Sequence, residues 1–280
     1  MQKITLITGP TCSGKTEFAI NFAKKNNAIV INSDAFQIYK EIPILSAQPT
    51  QEEMNEVEHL LFGIWTGDVN NNAEKMSQLI YKTTQENLDR NVLIVGGTPM
   101  YQNVIVNGIS DMPEISENVK LEVEKLSKEG RLKLLQKLDK LSAQKLSIND
   151  DQRIIRALHI VIQTGKSIVE FQNNKKTPFS NIQGISILGD RSILLEKAHK
   201  RLLNMIELGA VEEVENLMKK NYNSKNTIFQ AHGISEFAEY ILGKISKETA
   251  IQQILKRTKQ YQKHQLTWIR NKFKDFEFIF

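Results

Sequence analysis

The segment GPTCSGKT, residues 9–16, decides the fold of this chain. It fits the Gly-x-x-x-x-Gly-Lys-Ser/Thr pattern of a phosphate-binding loop, and it lies between an apolar run and a helical pattern, as such a loop requires. Ile4, Leu6 and Ile7 predict a short buried strand before it, and residues 17–25 predict a helix after it. Backbone N–H groups and the partial positive charge of a helix N-terminus then form a site for an anion. We therefore predict that the loop binds a diphosphate or a nucleotide polyphosphate such as ATP.

Every residue of the loop is a candidate phosphate ligand: Gly9, Pro10, Thr11, Cys12, Ser13, Gly14, Lys15 and Thr16. The pattern places the Lys15 ammonium at the outer phosphates and the Thr16 hydroxyl at a Mg²⁺ ion. The competing interpretation is a glycine-rich turn that binds nothing, and the complete pattern in its strand–loop–helix setting favours the phosphate site. Cys12 is interpreted as a small filler and not as a reactive thiol.

The chain has 280 residues, of which 40% are hydrophobic and 25% charged, and its formal net charge is +5. This length allows one large domain or two modest ones. No apolar run approaches the ~18 residues that a membrane-spanning helix needs, so we expect no membrane partner. The opening MQKITLIT is too short for a signal peptide, and a single cysteine excludes an internal disulfide. These features indicate a cytoplasmic protein.

Short apolar runs alternate with helical patterns along much of the chain. Strands are predicted at AIVINSD (28–34), NVLIVGG (91–97) and IQGISILGD (182–190), with a helix over 73–89. This alternation predicts an α/β fold, a P-loop NTPase-like parallel sheet covered by helices. Ligands of such sheets bind at the carboxyl ends of the strands. The phosphate loop, Asp34 and the Gly-Gly-Thr segment at 96–98 should therefore meet at one edge of the sheet.

Residues 113–181 show helical periodicity, and we predict an all-helical insertion domain there. The α/β core would then comprise residues 1–112 and 182–280, and its last part would hold helices over 191–207, 209–220, 232–242 and 247–272.

Asp34 is the strand-terminal carboxylate nearest to the loop in this scheme. ATPases and GTPases commonly end an apolar strand with an Asp that helps to hold Mg²⁺, but here the strand NVLIV ends in Gly-Gly-Thr. Asp34 could help to hold a metal, act as a general base on an incoming nucleophile, or cap the loop after its strand. The sequence offers no Ser–His–Asp set and no metal-ligand spacing among its five histidines.

The predicted helix 247–272 carries a single-signed charge pattern. No acidic residue occurs from 256 to 274, and Lys256, Lys259 and Lys263 recur at three- and four-residue steps on one face. Such a face favours a polyanion. The segment DDQRIIRAL places Gln152, Arg153 and Arg156 at the start of another helix, where an RNA contact and an ordinary surface helix fit equally well.

Three functions fit these residues. The protein could transfer a group from a diphosphate-bearing donor to an RNA base, it could be a small-molecule or nucleoside kinase with a helical lid, or it could be a nucleotide-gated RNA-binding protein. A helical segment of ~70 residues is large for the lid of a small kinase. Asp34 lies at the end of a strand, and the chain has no recognisable strand that ends in a Mg²⁺-binding Asp. This favours base catalysis and therefore the first function, without excluding the other two.

Five segments together resemble the tRNA dimethylallyltransferase (tRNA isopentenyltransferase) family along nearly the whole chain. They are GPTCSGKT, NSDAFQIYKEIPILSAQPT, LIVGGTPMY, DDQRIIRALHIVIQTGKSI and QKHQLTWIR, in this order. The resemblance implies that dimethylallyl diphosphate is the donor and that the acceptor is the exocyclic N6 amine of the adenosine 3′ of the tRNA anticodon. Isopentenyladenosine and diphosphate would be the products. It also implies Mg²⁺ as cofactor, a tRNA-contacting flap at 113–181 and an enzyme expected to act as a monomer.

The resemblance also assigns roles to individual residues. Asp34 would be the base for the amine, Thr98 would line the reaction channel, and Arg201 would reach the diphosphate. Lys15 would stabilise the departing diphosphate, with Mg²⁺ on Thr16. The implied tRNA contacts are Asp34, Ala35, Phe36, Gln37, Thr98, Gln152, Arg153, Ile154, Ile155, Arg156, Lys256, Lys259 and Lys263.

The chain departs from the family pattern at several positions. Ala35 stands where the family often has Ser, the segment QAHGISEF replaces a common form with Gly-Tyr-Lys, and Lys259 and His264 stand where arginines are usual. These departures bear on the affinity and preference for tRNA more than on the chemistry.

Overall fold

The computed structural model describes residues 2–172 and 175–280, and eight strands lie along this part of the chain. They are β1 (Ile4–Thr8), β2 (Ala28–Asn32), β3 (His59–Leu60), β4 (Asn91–Val95), β5 (Ile109–Ser110), β6 (Lys175–Lys176), β7 (Ile182–Ile187) and β8 (Glu277–Ile279). The helices of the first half are α1 (Lys15–Asn26), α2 (Pro43–Ser46), α3 (Gln51–Glu56), α4 (Ala73–Gln85), α5 (Pro99–Asn107), α6 (Glu117–Glu124) and α7 (Lys128–Leu138). Those of the second half are α8 (Lys140–Ala143), α9 (Asp151–Thr164), α10 (Ile168–Gln172), α11 (Arg191–Glu207), α12 (Ala210–Met218), α13 (Ile234–Ile241) and α14 (Lys247–Lys272).

Six of the strands form one sheet in the order β3-β2-β4-β1-β7-β8, and each neighbouring pair is parallel. β1 lies inside the sheet, where Ile4 is in register with Val92 on one side and Ile182 on the other. Leu6 and Ile7 are fully buried, since helices cover both faces of a parallel sheet. The prediction of a parallel α/β sheet is confirmed.

The predicted strands are real but end earlier than their apolar runs. β2 ends at Asn32 and β4 at Val95, so Asp34 and residues 96–98 lie beyond the hydrogen-bonded ladders. β3 and β8 were not predicted, because strands of two and three residues show no period in a sequence. The helices predicted over 191–207 and 247–272 have those same bounds in the structure.

The chain divides into two compact units, an α/β unit (Met1–Val106 with Phe179–Phe280) and a helical unit (Asn107–Pro178). The helical unit has its own core, whose fully buried members include Val123, Leu135 and Leu158. It is not purely helical, since β5 and β6 pair antiparallel and β6 falls inside the predicted helical segment. A strand of two lysines carries no apolar signal, which is why the sequence did not indicate it.

Over the described ranges, no helix combines the length and the apolar character needed to cross a membrane.

Candidate active site

The phosphate loop curls because two of its residues adopt left-handed backbone conformations. Gly14 has φ of 86° and Cys12 has φ of 67°. Glycine takes this conformation without steric cost, whereas a cysteine is strained in it, as residues of binding loops often are. Gly14 is also the N-cap residue of α1, and no side chain caps the first N–H groups of this helix. The loop therefore offers the donors and the helix end that an anion needs.

The carboxyl ends of β1, β2 and β4 open into a cavity of about 570 Å³ within the α/β unit. Lys15, Asp34 and Gly97 line it, so the three segments predicted to meet at one edge of the sheet do meet there. One wall is apolar and includes Leu45, Ala198, Leu202, Met205, Ala231 and Ile254. The cavity thus combines a phosphate loop, a carboxylate and a hydrophobic surface.

Two cations face each other beside the loop. Lys15 Nζ donates to the Pro10 carbonyl at 2.7 Å, and Arg201 Nη1 lies 3.9 Å from Cys12 Sγ. Burial, together with the charge of Arg201, lowers the pKa of Lys15 to about 8. Both effects disfavour the ammonium form, and an anion bound between the two cations would offset them.

The carboxylate of Asp34 is fixed by three hydrogen bonds. Its Oδ1 accepts from the Phe36 N–H at 3.0 Å, and its Oδ2 accepts from the Gly97 N–H at 3.1 Å and from the Thr98 hydroxyl at 3.2 Å. An ionised carboxylate has about four lone-pair sites, so Oδ1 retains one that is open to a ligand. These bonds orient the half-buried carboxylate, as a general base must be oriented.

A side chain at Gly97 would crowd the groups around it. A Cβ atom there would lie 3.2 Å from Asp34 Oδ2, 3.3 Å from Gln265 Nε2 and 4.0 Å from Lys15 Nζ. The missing side chain therefore lets a carboxylate and an amide approach the same residue from two sides. We call residues 96–98 the Gly97 loop.

Gln102 on α5 gathers the strand ends and was not anticipated from the sequence. Its Nε2 lies within hydrogen-bond distance of the Ile7 carbonyl at 3.0 Å, the Gly96 carbonyl at 3.1 Å and Ser33 Oγ at 3.2 Å. Gln102 is fully buried and connects the ends of β1, β2 and β4. A polar residue within an apolar helix, as in PMYQNVIVN, was the signal available in the sequence.

The inner face of α14 reaches both loops of the cavity. The sequence places Ile254, Gln265 and Ile269 on one face of the helix, and all three residues are buried. It does not predict the polar contacts: the Tyr261 hydroxyl donates to the Gly97 carbonyl at 3.0 Å, and Gln262 Nε2 donates to the Thr11 carbonyl at 3.2 Å.

His232, in the segment that departs from the family pattern, lies in the wall of the cavity. Its ring centroid is 4.8 Å from that of Tyr261. Burial and the charge of Arg257 lower the pKa of His232, which favours a neutral imidazole. This segment, which the sequence linked to tRNA preference, therefore also contributes a side chain to the cavity wall.

The candidate RNA contacts fall in different places. Lys256, Lys259 and Lys263 are exposed on α14, and we call these three the basic face. Gln152, Arg153 and Arg156 are exposed on α9 in the helical unit. The remaining candidates lie in the cavity wall or in cores. Phe36 and Gln37 line the cavity, as does the candidate Mg²⁺ ligand Thr16, whereas Ala35 is buried and Ile155 packs on the helical core. Ile154 is fully buried in that core, so its side chain is a packing residue and does not support the predicted RNA contact.

The parallel sheet, the loop at the end of β1 and the charged cavity define a phosphate-loop α/β protein. Which branch of that class it represents follows from comparison with known proteins. A family model described as IPP transferase matches residues 37–272, and the chain belongs to this family. The resemblance drawn from the five sequence segments is thereby confirmed.

Relatives match along the full length. A tRNA dimethylallyltransferase of Bartonella tribocorum is 35% identical over 280 residues, covering 98% of this chain and 97% of the relative. A tRNA dimethylallyltransferase of Wolbachia pipientis from Culex pipiens is 35% identical over 293 residues, covering 99% and 95%.

Solved structures agree with the sequence relatives. The full-length tRNA isopentenylpyrophosphate transferase of Bacillus halodurans superposes with a TM-score of 0.72 at 28% identity, over 100% of this chain and 90% of that one. A eukaryotic dimethylallyltransferase acting on tRNA superposes with a TM-score of 0.83 at 26% identity, over 96% of this chain and 70% of that one.

Proposed function

We propose that the protein transfers a dimethylallyl group from dimethylallyl diphosphate to the N6 amine of the adenosine 3′ of the anticodon in tRNA. The observation that carries this proposal is the single cavity in which the phosphate loop faces the Asp34 carboxylate across the Gly97 loop. The relatives described above are named for this transfer, and one of the similar structures acts on tRNA.

The donor's two parts match two parts of the cavity. Its diphosphate fits the loop, where backbone N–H groups, Lys15 and Arg201 supply positive charge. Its five-carbon tail fits the apolar wall, which includes Leu202 and Ile254. Hydrogen-bond donors and cations fixed around the diphosphate stabilise the charge that develops as the carbon–oxygen bond breaks. This stabilisation is commonly the largest contribution to catalysis.

Asp34 is suited to the acceptor side of the reaction. The adenosine N6 attacks C1 of the donor, the C1–O bond breaks, and its electron pair leaves with the diphosphate. The N6 proton passes to the open lone pair on Asp34 Oδ1, since Oδ2 already accepts two hydrogen bonds. Proton removal by a positioned base contributes about 10²–10⁴ to such a step. Thr98 orients that base and donates no proton to the reaction.

The residues present fit a Mg²⁺ ion at the loop. Thr16 offers a hydroxyl at the first turn of α1, and Asp34 is a nearby carboxylate in the same cavity. No three His, Cys, Asp or Glu side chains of the described part of the chain form a metal cluster by themselves. Mg²⁺ commonly takes one or two protein ligands and completes its shell with substrate phosphates and water. When bound, it would supply positive charge to the leaving diphosphate.

The basic face and Arg153 and Arg156 of α9 are proposed to hold the phosphates of the tRNA. Exposed lysines and arginines neutralise a nucleic-acid backbone and release its counterions. Arg153 would exchange its ion pair with Asp150 for such a phosphate. A cytoplasmic location fits this substrate and an unoxidised Cys12.

The test is incubation with unmodified tRNA and dimethylallyl diphosphate, followed by mass analysis of the nucleosides. Isopentenyladenosine is expected at one position, and tRNA lacking an adenosine 3′ of the anticodon is the matched control. A kinase would instead transfer a phosphoryl group from ATP to a small molecule. Phosphoryl transfer without prenyl transfer would overturn the proposal.

A further inference from the structure

One buried amide, that of Gln265 on α14, joins the two loops that frame the cavity. Gln265 is 1% exposed. Its Oε1 accepts from the Thr11 N–H at 3.0 Å, and its Nε2 donates to the Gly97 carbonyl. A primary amide carries an acceptor and a donor on one rigid plane, so a single side chain serves both loops. Gln265 thereby bridges the phosphate loop and the Gly97 loop.

Neighbouring side chains reinforce each of these contacts. Gln262 Nε2 donates to the Thr11 carbonyl at 3.2 Å and to the Leu194 carbonyl at 3.1 Å, and the Tyr261 hydroxyl donates to the Gly97 carbonyl at 3.0 Å. Thr11 is therefore held at its N–H and at its C=O, and the Gly97 carbonyl has two donors. The inner face of α14 is built to hold these loops, beyond what burial alone requires.

The Gly97 loop passes this constraint on to Asp34. The Gly97 N–H and the Thr98 hydroxyl both donate to Asp34 Oδ2, while the Gly97 carbonyl is held by Gln265. The absent Cβ of Gly97 would lie 3.3 Å from Gln265 Nε2 and 3.2 Å from Asp34 Oδ2. The amide and the carboxylate are therefore linked through a single residue.

We propose that Gln265 is a positioning residue that fixes the separation between the leaving diphosphate and the Asp34 carboxylate. This inference rests on the proposed function and extends it to a residue whose amide is committed to the two loops. Reacting groups must lie about 3–3.5 Å apart, and a misplacement of 1 Å can reduce the rate by about 10²-fold. Loss of the amide is accordingly expected to slow the chemical step more than it weakens tRNA binding.

The experiment replaces Gln265 by methionine, which has a similar length and neither donates nor accepts in its place. Single-turnover transfer at saturating tRNA and donor should fall about 10–100-fold in Gln265→Met, while the dissociation constant for tRNA stays within about twofold. Tyr261→Phe removes one of the two donors to the Gly97 carbonyl and should slow the same step by less, about 3–10-fold. This milder variant tests the inference if Gln265→Met does not fold.

Gln253→Met on the exposed side of α14 is the matched control and should transfer at the wild-type rate. A Gln265→Met rate within twofold of wild type would overturn the inference. So would a loss confined to tRNA binding, or a rate restored by lowering the temperature, because each would indicate a purely structural role.

Hydrogen exchange separates this inference from the proposed function. Amides of residues 9–16 should exchange faster in Gln265→Met than in Gln253→Met, and inorganic diphosphate should bind more weakly. Both measurements remain informative if the wild-type protein transfers no prenyl group. Absence of prenyl transfer by the wild-type protein would refute the proposed function. Unchanged exchange and unchanged diphosphate binding in Gln265→Met would refute the role of Gln265.

Discussion

The cavity and the basic face both contain lysine ammonium groups, but those of the basic face are exposed to water and that of the cavity is not. Lys15 lies in the cavity beside Arg201, and its pKa falls to about 8 because burial and that second cation disfavour its charge. Lys256, Lys259 and Lys263 are exposed to water, where salt screens them and each contributes little by itself. The comparison teaches that the cavity acts through a few fixed groups with large individual effects, whereas the basic face acts through several small effects.

Replacing the cavity's carboxylate should have the largest effect. Asp34→Asn keeps the shape of the side chain but cannot take up the N6 proton, so single-turnover transfer at saturating tRNA should fall ~10²–10⁴-fold. Binding of tRNA and of diphosphate should change little. Asp89→Asn, at an exposed position, is the control and should leave the rate unaltered. A near-wild-type rate in Asp34→Asn would reduce Asp34 to a loop cap.

Removal of the cavity lysine, Lys15, should come next. Lys15→Ala deletes a charged contact to the leaving diphosphate, and turnover should fall by roughly two or more powers of ten. Lys259→Ala removes the same charge from the basic face and should change the single-turnover rate less than about threefold at saturating tRNA. Equal losses in the two variants would contradict the distinction between the cavity and the basic face.

The pH dependence of diphosphate binding distinguishes the two kinds of lysine. The folded pKa of Lys15 lies below its ordinary value of 10.5, so the free protein loses this proton as the pH rises through about 8. Diphosphate requires the charged form, and its affinity should fall up to about tenfold per pH unit from pH 8 towards 10, with proton uptake on binding. Calorimetry in buffers of different ionisation enthalpy measures that uptake.

Lys15→Arg is the control for this pH series, because the guanidinium stays charged throughout while the ligand's own titration is unchanged. The fall in affinity above pH 8 should be smaller in Lys15→Arg than in the wild type. Identical profiles would mean that the ligand alone titrates.

The smallest effect is expected from the basic face. Replacing Lys256, Lys259 and Lys263 by glutamine should weaken tRNA binding and reduce the slope of log affinity against log salt by up to ~0.7–0.9 for each lysine that neutralises a phosphate. Diphosphate binding should not change. The same replacement at three exposed lysines elsewhere, Lys3, Lys75 and Lys82, controls for net charge. A slope equal in both triple variants would show that this face does not bind the tRNA.

The sequence predicted those parts of the molecule that follow a hydrophobic period or the fixed spacing of a motif. The loop at 9–16 lies in a strand–loop–helix context, and the long helix α14 has the bounds that its pattern indicates. Convergence of Asp34 with the Gly97 loop followed from the rule that parallel strands carry their sites at one edge.

What the sequence did not predict depends on contacts between residues far apart in the chain. Gln265 and Thr11 are separated by 254 positions, and nothing in the period of α14 shows that a buried glutamine reaches a phosphate loop. Gln102 joins three strand ends by the same kind of contact. Ile154 was included among the RNA contacts because it lies within a family motif, although its apolar character already favoured the core.

The place of β7 in the sheet has a consequence for folding during synthesis. β1 pairs with β7, yet the whole helical unit is made between β4 and β7. At about 5–20 residues per second, the ribosome needs roughly 5–20 s for the ~90 residues from the end of β4 to the end of β7. The helical unit has short-range contacts and can form in this interval, whereas one side of β1 stays unpaired and open to aggregation. Nascent chains of this protein should therefore depend most on chaperones just before β7 emerges.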